Sequence, residues 1–228
     1  FWQPISVSDK LPQGKIVPIR ILGEDLALYR GESGKAHVMT NECPHRLTRL
    51  HIGWIEGETL RCRYHGWRFD EAGKCVEQPA EPNPFCERVK KLASYPTHEA
   101  FGLIFAYMGP PGKRPMLPRY RTLEHLADHE RVVAEVELVP GSGPQIYECN
   151  WLQNYENVMD TFHAPILHAG FSANQFNRPE FAQLPKVKWE YTDLGVSCST
   201  DRVMPDGMIL RRIMEAAVAA TSPHHHRQ

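Results

Sequence analysis

The chain has 228 residues, of which 42% are hydrophobic and 23% charged, and its formal net charge is −1. This balance is typical of globular domains and argues against a nucleic acid or a membrane surface as the main partner. No run approaches the roughly 18 apolar residues of a membrane helix. Six cysteines in a chain of this size favour a reducing, cytoplasmic location over a disulfide-stapled scaffold.

Short β-rich segments separated by Gly, Pro and Asn turns occupy the first half of the chain: "KIVPIRIL", "DLALYRG", "AHVMTN", "TLRCRYHGWRF" and "GLIFAYMG". Such runs, about ten residues apart, predict a small all-β sandwich or barrel. The proline-rich segment "GPPGKRPMLPRY" (109–120) predicts a linker. We therefore expect one domain over residues 1–115 and a second over 116–228.

Two motifs, "CPHR" and "CRYHGW", each combine one thiol with one imidazole, at Cys43 and His45 and at Cys62 and His65. A disulfide between the cysteines would leave both histidines unexplained, whereas a zinc ion would use all four side chains. A Rieske-type 2Fe-2S cluster also uses two thiolates and two imidazoles. Zinc fingers more often pair cysteine with cysteine and histidine with histidine, so the spacing favours the cluster and leaves zinc as the alternative.

The second half of the chain predicts strands around one helix. "RVVAEVELV" (131–139) predicts a strand, and "NWLQNYENVMDTFH" (150–163) predicts an amphipathic helix. Its apolar side contains Trp151, Leu152, Tyr155, Val158, Met159 and Phe162. Pro165 is expected to end or bend this helix, and "KVKWEYTDLGVSCST" and "MILRRIMEA" predict further strands. The histidine-rich tail "AAVAATSPHHHRQ" predicts no functional role.

A second set of candidate metal ligands follows the start of that helix. Asp160 and His163 are three residues apart and are therefore neighbours on a helical face. His168 lies beyond Pro165, where the chain can turn back toward His163. Two imidazoles and one carboxylate form the facial triad of non-haem iron(II) oxygenases. Two histidines five residues apart are weak evidence for an iron site when taken alone. Their position after the first pair of motifs makes that evidence stronger.

The two sets of motifs together resemble one protein family. "CPHR" followed by "CRYHGW" resembles the Rieske motif of aromatic-ring-hydroxylating oxygenase large (alpha) subunits. "CNWLQNYENVMDTFHAPILH" is similar to their phthalate dioxygenase-like branch. One difference is Leu47, which stands where that family usually has glycine. The resemblance implies that Cys43 and Cys62 hold one iron of the cluster and that His45 and His65 hold the other.

The resemblance also assigns roles to neighbouring side chains. It implies that Tyr64 and Trp67 pack beside the cluster and screen it from water, although ordinary core packing explains them equally well. It implies that His163 and His168 hold a mononuclear Fe(II). Asp160 would then bridge His163 to a cluster histidine of the next subunit in a trimer and orient both imidazoles. The pocket residues implied are Asn157, Phe162 and Phe171.

The third iron ligand of the family is an aspartate far beyond His168. Asp193, Asp201 and Asp206 are poor candidates because they lie in predicted strands and turns. We therefore expect a large subunit truncated at its C-terminus. The expected fold class is α+β, with an all-β Rieske domain followed by the first part of an antiparallel-sheet-plus-helix catalytic domain.

The function implied is that of a terminal oxygenase component in aromatic hydrocarbon catabolism. It would insert oxygen from O2 into a phthalate-like or benzoate-like ring by dihydroxylation, hydroxylation or O-demethylation. Electrons would come from NADH through a separate flavin and iron-sulfur reductase or a ferredoxin. The assembly implied is a homotrimer or a multiple of trimers. The alternatives are a Rieske-type electron-transfer protein without oxygenase activity and a zinc-stabilised binding module.

Overall fold

The computed structural model describes residues 2–134, 147–171, 183–193 and 195–217. The chain forms two compact units, residues 1–145 and 146–228. The predicted domain boundary at 115/116 stays a prediction. Residues 131–134 of the strand predicted at 131–139 are not in a strand, and the rest of it lies outside the described residues, as does the tail. No helix among the described residues is long and apolar enough to cross a membrane.

The first unit is all-β, as its short β-rich segments predict. Its strands are β1 (Trp2–Val7), β2 (Ile16–Ile21), β3 (Glu24–Arg30), β4 (Ala36–Thr40), β5 (Trp54–Glu56), β6 (Thr59–Arg61), β7 (Arg68–Phe69), β8 (Cys75–Glu77), β9 (Ser94–Tyr95), β10 (Thr97–Ala100) and β11 (Leu103–Tyr107). They form three antiparallel sheets, with strand orders β1-β11-β10, β2-β3-β4-β9 and β5-β6-β7-β8. Short helical segments lie at Ser8–Lys10, Leu50–Ile52, Cys86–Arg88 and α1 (Arg121–Glu124).

Strand β3 is buried on both faces because its sheet has an apolar cluster on each side. Leu26 and Leu28 pack in one cluster with Ile104 of β11. Ala27 and Tyr29 pack in the other cluster, which also contains both cysteines of the candidate cluster site. Successive side chains of a strand point to opposite faces, so the run "LALY" serves two cores at once. The candidate site therefore rests on the main core of the unit.

The candidate cluster ligands lie on two loops that leave this core. The first loop follows β4, and the second connects β6 to β7. Strand β6 pairs with β5 on one side and β7 on the other, which holds the base of the second loop. Leu50 and Leu60 are fully buried beside the two loops and anchor them to the same apolar cluster.

The second unit combines a three-stranded antiparallel sheet with two helical segments, which confirms the predicted α+β class. Its elements are α2 (Trp151–Met159), a π-helix (Ala164–Phe171), β12 (Lys186–Thr192), β13 (Gly195–Val203) and β14 (Ile209–Ala217). The strand order is β12-β13-β14, and both pairings are antiparallel. The strand predicted at "MILRRIMEA" is confirmed as β14, whereas the segment predicted as one strand, "KVKWEYTDLGVSCST", contains β12 and most of β13, with a turn at Asp193.

The helix predicted over 150–163 is shorter than expected. It begins after Asn150, whose side chain accepts a hydrogen bond from the Leu152 N–H at 2.9 Å, and it ends at Met159. Asp160 has an extended backbone, so the prediction that it continues the helix is wrong. Pro165 is the second residue of the following helix, where its missing N–H removes no internal hydrogen bond. Pro165 therefore does not end the first helix.

The apolar side of α2 is largely exposed within the described residues. The exposed fraction is 64% at Trp151 and 61% at Val158. Among the described contacts of this helix there is one long-range hydrogen bond. The Tyr155 hydroxyl donates to the carbonyl of Ala216 at 2.8 Å. The amphipathic pattern therefore predicts the helix correctly, but the described part of the unit does not bury its apolar face.

Two turn glycines provide a test of the packing in the first unit. Gly34 and Gly73 both have a left-handed backbone, with φ of +86° and +83°. A Cβ at position 34 meets no atom within 4 Å, whereas one at position 73 overlaps the carbonyl oxygen of Leu92. We expect Gly34→Ala to lower the free energy of unfolding by about 1 kcal/mol through backbone strain alone. Gly73→Ala is expected to cost at least about 2 kcal/mol more.

Chemical denaturation of the two variants and the wild type measures the difference in unfolding free energy. The dependence of this free energy on denaturant concentration should be the same for all three proteins. Equal losses at the two positions would contradict the described contact between the Gly73 turn and Leu92.

Candidate metal centres

The first ligand loop closes on itself through Cys43. The Cys43 N–H donates to the carbonyl of Thr48 at 2.9 Å, and the Leu47 N–H donates to the carbonyl of Cys43 at 2.9 Å. Leu47 takes a left-handed backbone in this turn, with φ of +57°. Such a backbone costs a residue with a Cβ roughly 1–2 kcal/mol. This cost is the physical reason for a glycine at this position, and Leu47 keeps the turn without one.

The second ligand loop repeats the same pattern. The Cys62 N–H donates to the carbonyl of Trp67 at 2.8 Å, and the Gly66 N–H donates to the carbonyl of Cys62 at 3.1 Å. Gly66 also has a left-handed backbone, with φ of +73°. A Cβ on Gly66 would come within 2.8 Å of the Pro79 ring. Glycine is therefore required here by both backbone and space.

The two loops bring the thiols of Cys43 and Cys62 into hydrogen-bond contact. Both residues are buried, with 1% and 2% of their surface exposed. Their shared hydrogen bond raises the pKa of Cys43 and lowers the pKa of Cys62, while burial acts upward on both. The lower pKa of Cys62 favours its thiolate over that of Cys43. A thiolate is the form of cysteine that binds metals.

The two loops also bring the imidazoles of His45 and His65 together, with ring centroids 4.5 Å apart. The Nδ1 atom of His45 is buried and has no hydrogen-bond partner within the described part of the chain. A buried ring nitrogen without a partner is costly, and a bond to a metal would satisfy it. Two adjacent thiols and two adjacent imidazoles are the donors of a Rieske-type cluster, so these residues fit that group.

The structure brings the four side chains together as a thiol pair and an imidazole pair. This pairing matches the donor set of a Rieske-type cluster. All six cysteines are free thiols, including Cys43 and Cys62.

The two aromatic residues of the second loop differ in their surroundings. Trp67 is buried and stacks on His45, with centroids 4.6 Å apart and an angle of 3° between the rings. Tyr64 lies against His65, with centroids 3.8 Å apart, but 64% of its surface is exposed. Trp67 therefore excludes water from one side of the candidate site. Tyr64 covers His65 from outside and is not an ordinary core residue.

Arg61, next to Cys62, holds the second loop in place. Its Nη1 donates to the carbonyl of Gly66 at 2.7 Å. Its Nε and Nη2 donate to the carboxylate of Glu56, both at 2.7 Å, and Nη2 also donates to Glu77 at 2.9 Å. This bidentate pairing fixes the guanidinium, which in turn fixes the loop carbonyl. The Arg61 hydrogen bond, followed by one from Trp54, lowers the pKa of Glu56 to about 2.

His163 and His168 of the second candidate centre lie close together. Their ring centroids are 5.1 Å apart and the rings are nearly perpendicular. His163 Nδ1 lies 3.2 Å from a carboxylate oxygen of Asp160, but the two are not aligned as a hydrogen bond. The other Asp160 oxygen accepts a hydrogen bond from the Phe162 N–H at 2.8 Å. His163 therefore lies near both His168 and Asp160, although Asp160 approaches it from the extended backbone after α2 and not from a helix.

A third ligand for these histidines is not grouped with them among the described residues. Asp201 is held by two hydrogen bonds from Arg211, both at 2.7 Å, and Asp206 accepts one from the Met208 N–H. Asp193 lies in the turn after β12. His163 and His168 thus stay candidate donors for two positions of a facial triad.

A cavity of about 790 Å³ in the first unit is lined by none of the candidate metal ligands. Its polar lining includes Lys35, Lys91, Tyr95 and Arg114. Of the predicted pocket residues, Asn157 is exposed, Phe162 lies 6.1 Å from the Trp189 ring, and the Phe171 side chain is outside the described part. The predicted substrate pocket stays a prediction.

Several residues at the cluster site cannot be predicted from the spacing of the candidate ligands. Arg61 and Gly66 hold the second loop, and Glu81 places a carboxylate oxygen 3.9 Å from Nε2 of His45. The glycine next to His65 in "HGW" indicates a tight turn, which is the only one of these features that sequence alone suggests. The partners of Arg61 are spread over two strands and depend on strand register.

Comparison with known proteins gives a family match for the first unit. Residues 1–96 match the Rieske domain model, described as a 2Fe-2S domain. The chain is 40% identical over 225 residues to the phenoxybenzoate dioxygenase subunit alpha of Ectopseudomonas oleovorans, covering 95% of this chain and 54% of that protein. It is 34% identical to the tert-butanol monooxygenase/tert-amyl alcohol desaturase oxygenase subunit of Aquincola tertiaricarbonis, covering 99% of this chain and 50% of that protein.

A solved structure supports the same architecture. The crystal structure of dicamba monooxygenase bound to dicamba matches with a TM-score of 0.63 and 22% identity, covering 88% of this chain and 56% of that one. At this identity the match shows the fold alone. The chain spans about half the length of the curated relatives it matches.

The Arg61 contacts generate a prediction about pH. In the folded chain the pKa of Glu56 is depressed from 4.5 to about 2, so its ion pair stabilises the fold above the unfolded pKa. That stability is lost as the pH falls from 4.5 to about 2. Arg61→Gln should return the pKa of Glu56 toward its ordinary value and reduce the loss of stability across this window. Carboxyl NMR titration of the metal-free chain measures the pKa directly.

Arg20→Gln serves as the matched control, because Arg20 forms an exposed ion pair with Asp25. A Glu56 pKa that stays near 2 in the Arg61→Gln variant would contradict the proposal that the Arg61–Glu56 ion pair positions the guanidinium beside the second loop.

Proposed function

We propose that the protein is a terminal oxygenase component of the Rieske non-haem iron oxygenases and acts on an aromatic substrate, because residues 1–96 match the Rieske domain and 225 residues are 40% identical to an oxygenase subunit. The observation that supports the proposal is the presence of two candidate metal-ligand sets in one chain. Cys43, His45, Cys62 and His65 form the first set, and His163 and His168 belong to the second. An electron carrier needs only the first.

The side chains present define what each centre would hold. Cys43 and Cys62 would bind one iron of a 2Fe-2S cluster, and His45 and His65 would bind the other. His163 and His168 would bind a mononuclear Fe(II). When bound, the cluster supplies single electrons and the mononuclear iron supplies the site for dioxygen reduction.

The chain itself positions and shields these groups. The hydrogen bonds that close the two ligand loops fix the backbones of the candidate ligands. Trp67 excludes water from the His45 ring, and Arg61 holds the carbonyl of Gly66. A dry, preorganised ligand set changes little when the charge of the cluster changes, which favours fast electron transfer.

We assign Asp160 as the residue that links the two kinds of centre between subunits. Its carboxylate already lies 3.2 Å from His163 Nδ1, and 45% of its side chain is exposed. A carboxylate that accepts hydrogen bonds from His163 and from His65 of a neighbouring subunit would orient both rings. This role requires an assembly of subunits, and a homotrimer or a multiple of trimers is the arrangement we propose.

The names of the relatives suggest a substrate class without fixing it. One relative is named for phenoxybenzoate and another for tert-butanol, so the family ligands alone do not select the substrate. We propose a ring carboxylate of the benzoate or phthalate class, modified by dihydroxylation, hydroxylation or O-demethylation. A separate flavin and iron-sulfur reductase or a ferredoxin would deliver electrons from NADH. Six free thiols are consistent with a cytoplasmic location.

An electron-transfer protein without oxygenase activity is the second candidate. It is favoured by one observation: among the described residues, no third ligand is grouped with His163 and His168. This candidate keeps the cluster and lacks the mononuclear iron.

Iron and acid-labile sulfide analysis distinguishes the two candidates. The oxygenase is expected to contain about three irons and two sulfides per chain, and the carrier about two of each. Conversion of benzoates or phthalates by the iron-loaded protein with reductase and NADH would then identify the reaction. A protein with zinc and no sulfide would exclude both candidates.

Asp160→Asn tests the proposed link. Both metal sites should remain filled because Asp160 is not a ligand, while electron delivery to the mononuclear iron should slow at least about tenfold. Single-turnover measurement of cluster oxidation gives this rate. Asp206→Asn, in an exposed turn, is the matched control. An Asp160→Asn rate equal to that of the wild type would refute the link.

A further inference from the structure

A second pair of thiols lies outside both candidate metal centres. The Sγ atoms of Cys75, at the start of β8, and Cys86, in the helical turn Cys86–Arg88, are 3.2 Å apart. Both are free cysteines. Neither lies on a ligand loop, and neither has a role in the proposed function.

The two thiols differ in their access to solvent. Cys75 is 1% exposed and packs in the same apolar cluster as Trp67 and Phe69. Burial, followed by the hydrogen bond with Cys86, raises the pKa of the Cys75 thiol to about 12. Cys86 is only partly buried. A small oxidant from solvent therefore meets Cys86 first, with Cys75 directly behind it.

The segment between the two cysteines covers one side of the cluster site. Gln78 accepts a hydrogen bond from the Phe85 N–H at 2.6 Å, which folds the segment back on itself. The Phe85 ring meets the edge of Trp67, with centroids 5.6 Å apart. Trp67 in turn stacks on His45. A bond between Cys75 and Cys86 would close this segment at its two ends.

We propose that Cys75 and Cys86 form a reversible disulfide when the protein meets hydrogen peroxide, and that this bond fixes residues 76–85 against Trp67. The sulfurs must move from 3.2 Å to the roughly 2.05 Å of a disulfide, a shift of about 1 Å. The inference does not depend on the proposed oxygenase activity.

One molecule of hydrogen peroxide accepts the two electrons released when the disulfide forms. The Cys86 sulfur attacks an oxygen of hydrogen peroxide, so that an S–O bond forms, the O–O bond breaks, and one water leaves. The Cys75 sulfur then attacks the sulfenic sulfur, the S–S bond forms, and the hydroxide leaves as water with the Cys75 proton. Two thiols lose two electrons, and the peroxide gains them. A dithiol reverses the reaction by exchange.

The test uses the full iron-loaded chain with Cys149→Ser, because Cys149 is exposed and would otherwise link separate molecules. One equivalent of hydrogen peroxide is added, and the protein is quenched in acid, alkylated and digested with trypsin. Lys74 and Arg88 flank the pair, so trypsin releases both cysteines in one peptide, residues 75–88. A disulfide blocks alkylation of both and lowers the peptide mass by two hydrogens.

We expect alkylation of the two cysteines to fall together, at least about fivefold, and to return after dithiothreitol. The melting temperature should rise by about 5 °C or more, because the crosslink restricts the unfolded chain. Amide hydrogen exchange over residues 78–86 should slow. Cys86→Ser should abolish all three effects and leave Cys75 reduced.

Any of three results would overturn the inference. The first is a Cys86 that gains two or three oxygens while Cys75 is still alkylated. The second is a disulfide from either cysteine to Cys43, Cys62 or Cys198, and the third is full alkylation of both cysteines. The first measurement needs no substitution in the pair, so a misfolded Cys86→Ser variant would not remove the test.

Discussion

The structure of the candidate cluster site depends on one constraint: the N–H of each ligand cysteine donates to the carbonyl five residues later. Cys43 with Thr48 and Cys62 with Trp67 make this bond, and each closure requires a left-handed backbone one residue before the acceptor. The two equivalent turns place thiol against thiol and imidazole against imidazole. The motifs around Cys43 and Cys62 differ in spacing, yet both form the same closed turn. The resulting pairs of thiols and imidazoles match the donors of a two-iron cluster.

The rest of the first unit supports these two turns. Strand β3 is buried on both faces, and one of its faces packs in the apolar cluster that contains the ligand cysteines. Arg61 ties the second turn to carboxylates on β5 and β8, and Trp67 shields His45. The loops that carry the donors are therefore held by backbone hydrogen bonds and by the core. Such an arrangement would let a bound cofactor transfer electrons with little rearrangement.

The candidate ligands could be selected from sequence because their chemistry is local. Cys43, His45, Cys62 and His65 have a spacing that few other sites share, and the strands of the first unit follow from residue period and turn residues. The end of α2 was not predictable, because the apolar pattern continues to Phe162 while the backbone of Asp160 is already extended. The contacts of Arg61, and the approach of Cys75 to Cys86, depend on how distant strands and turns align.

Two histidines and two cysteines are proposed to share one pair of irons. Nitrogen ENDOR spectroscopy of the reduced protein, grown with isotopically labelled histidine, detects histidine nitrogens bound to the cluster. Couplings from two such nitrogens are expected, and His65→Ala should remove one of them. A reduced protein with no paramagnetic cluster, or with a cluster lacking histidine nitrogen couplings, would contradict the proposal.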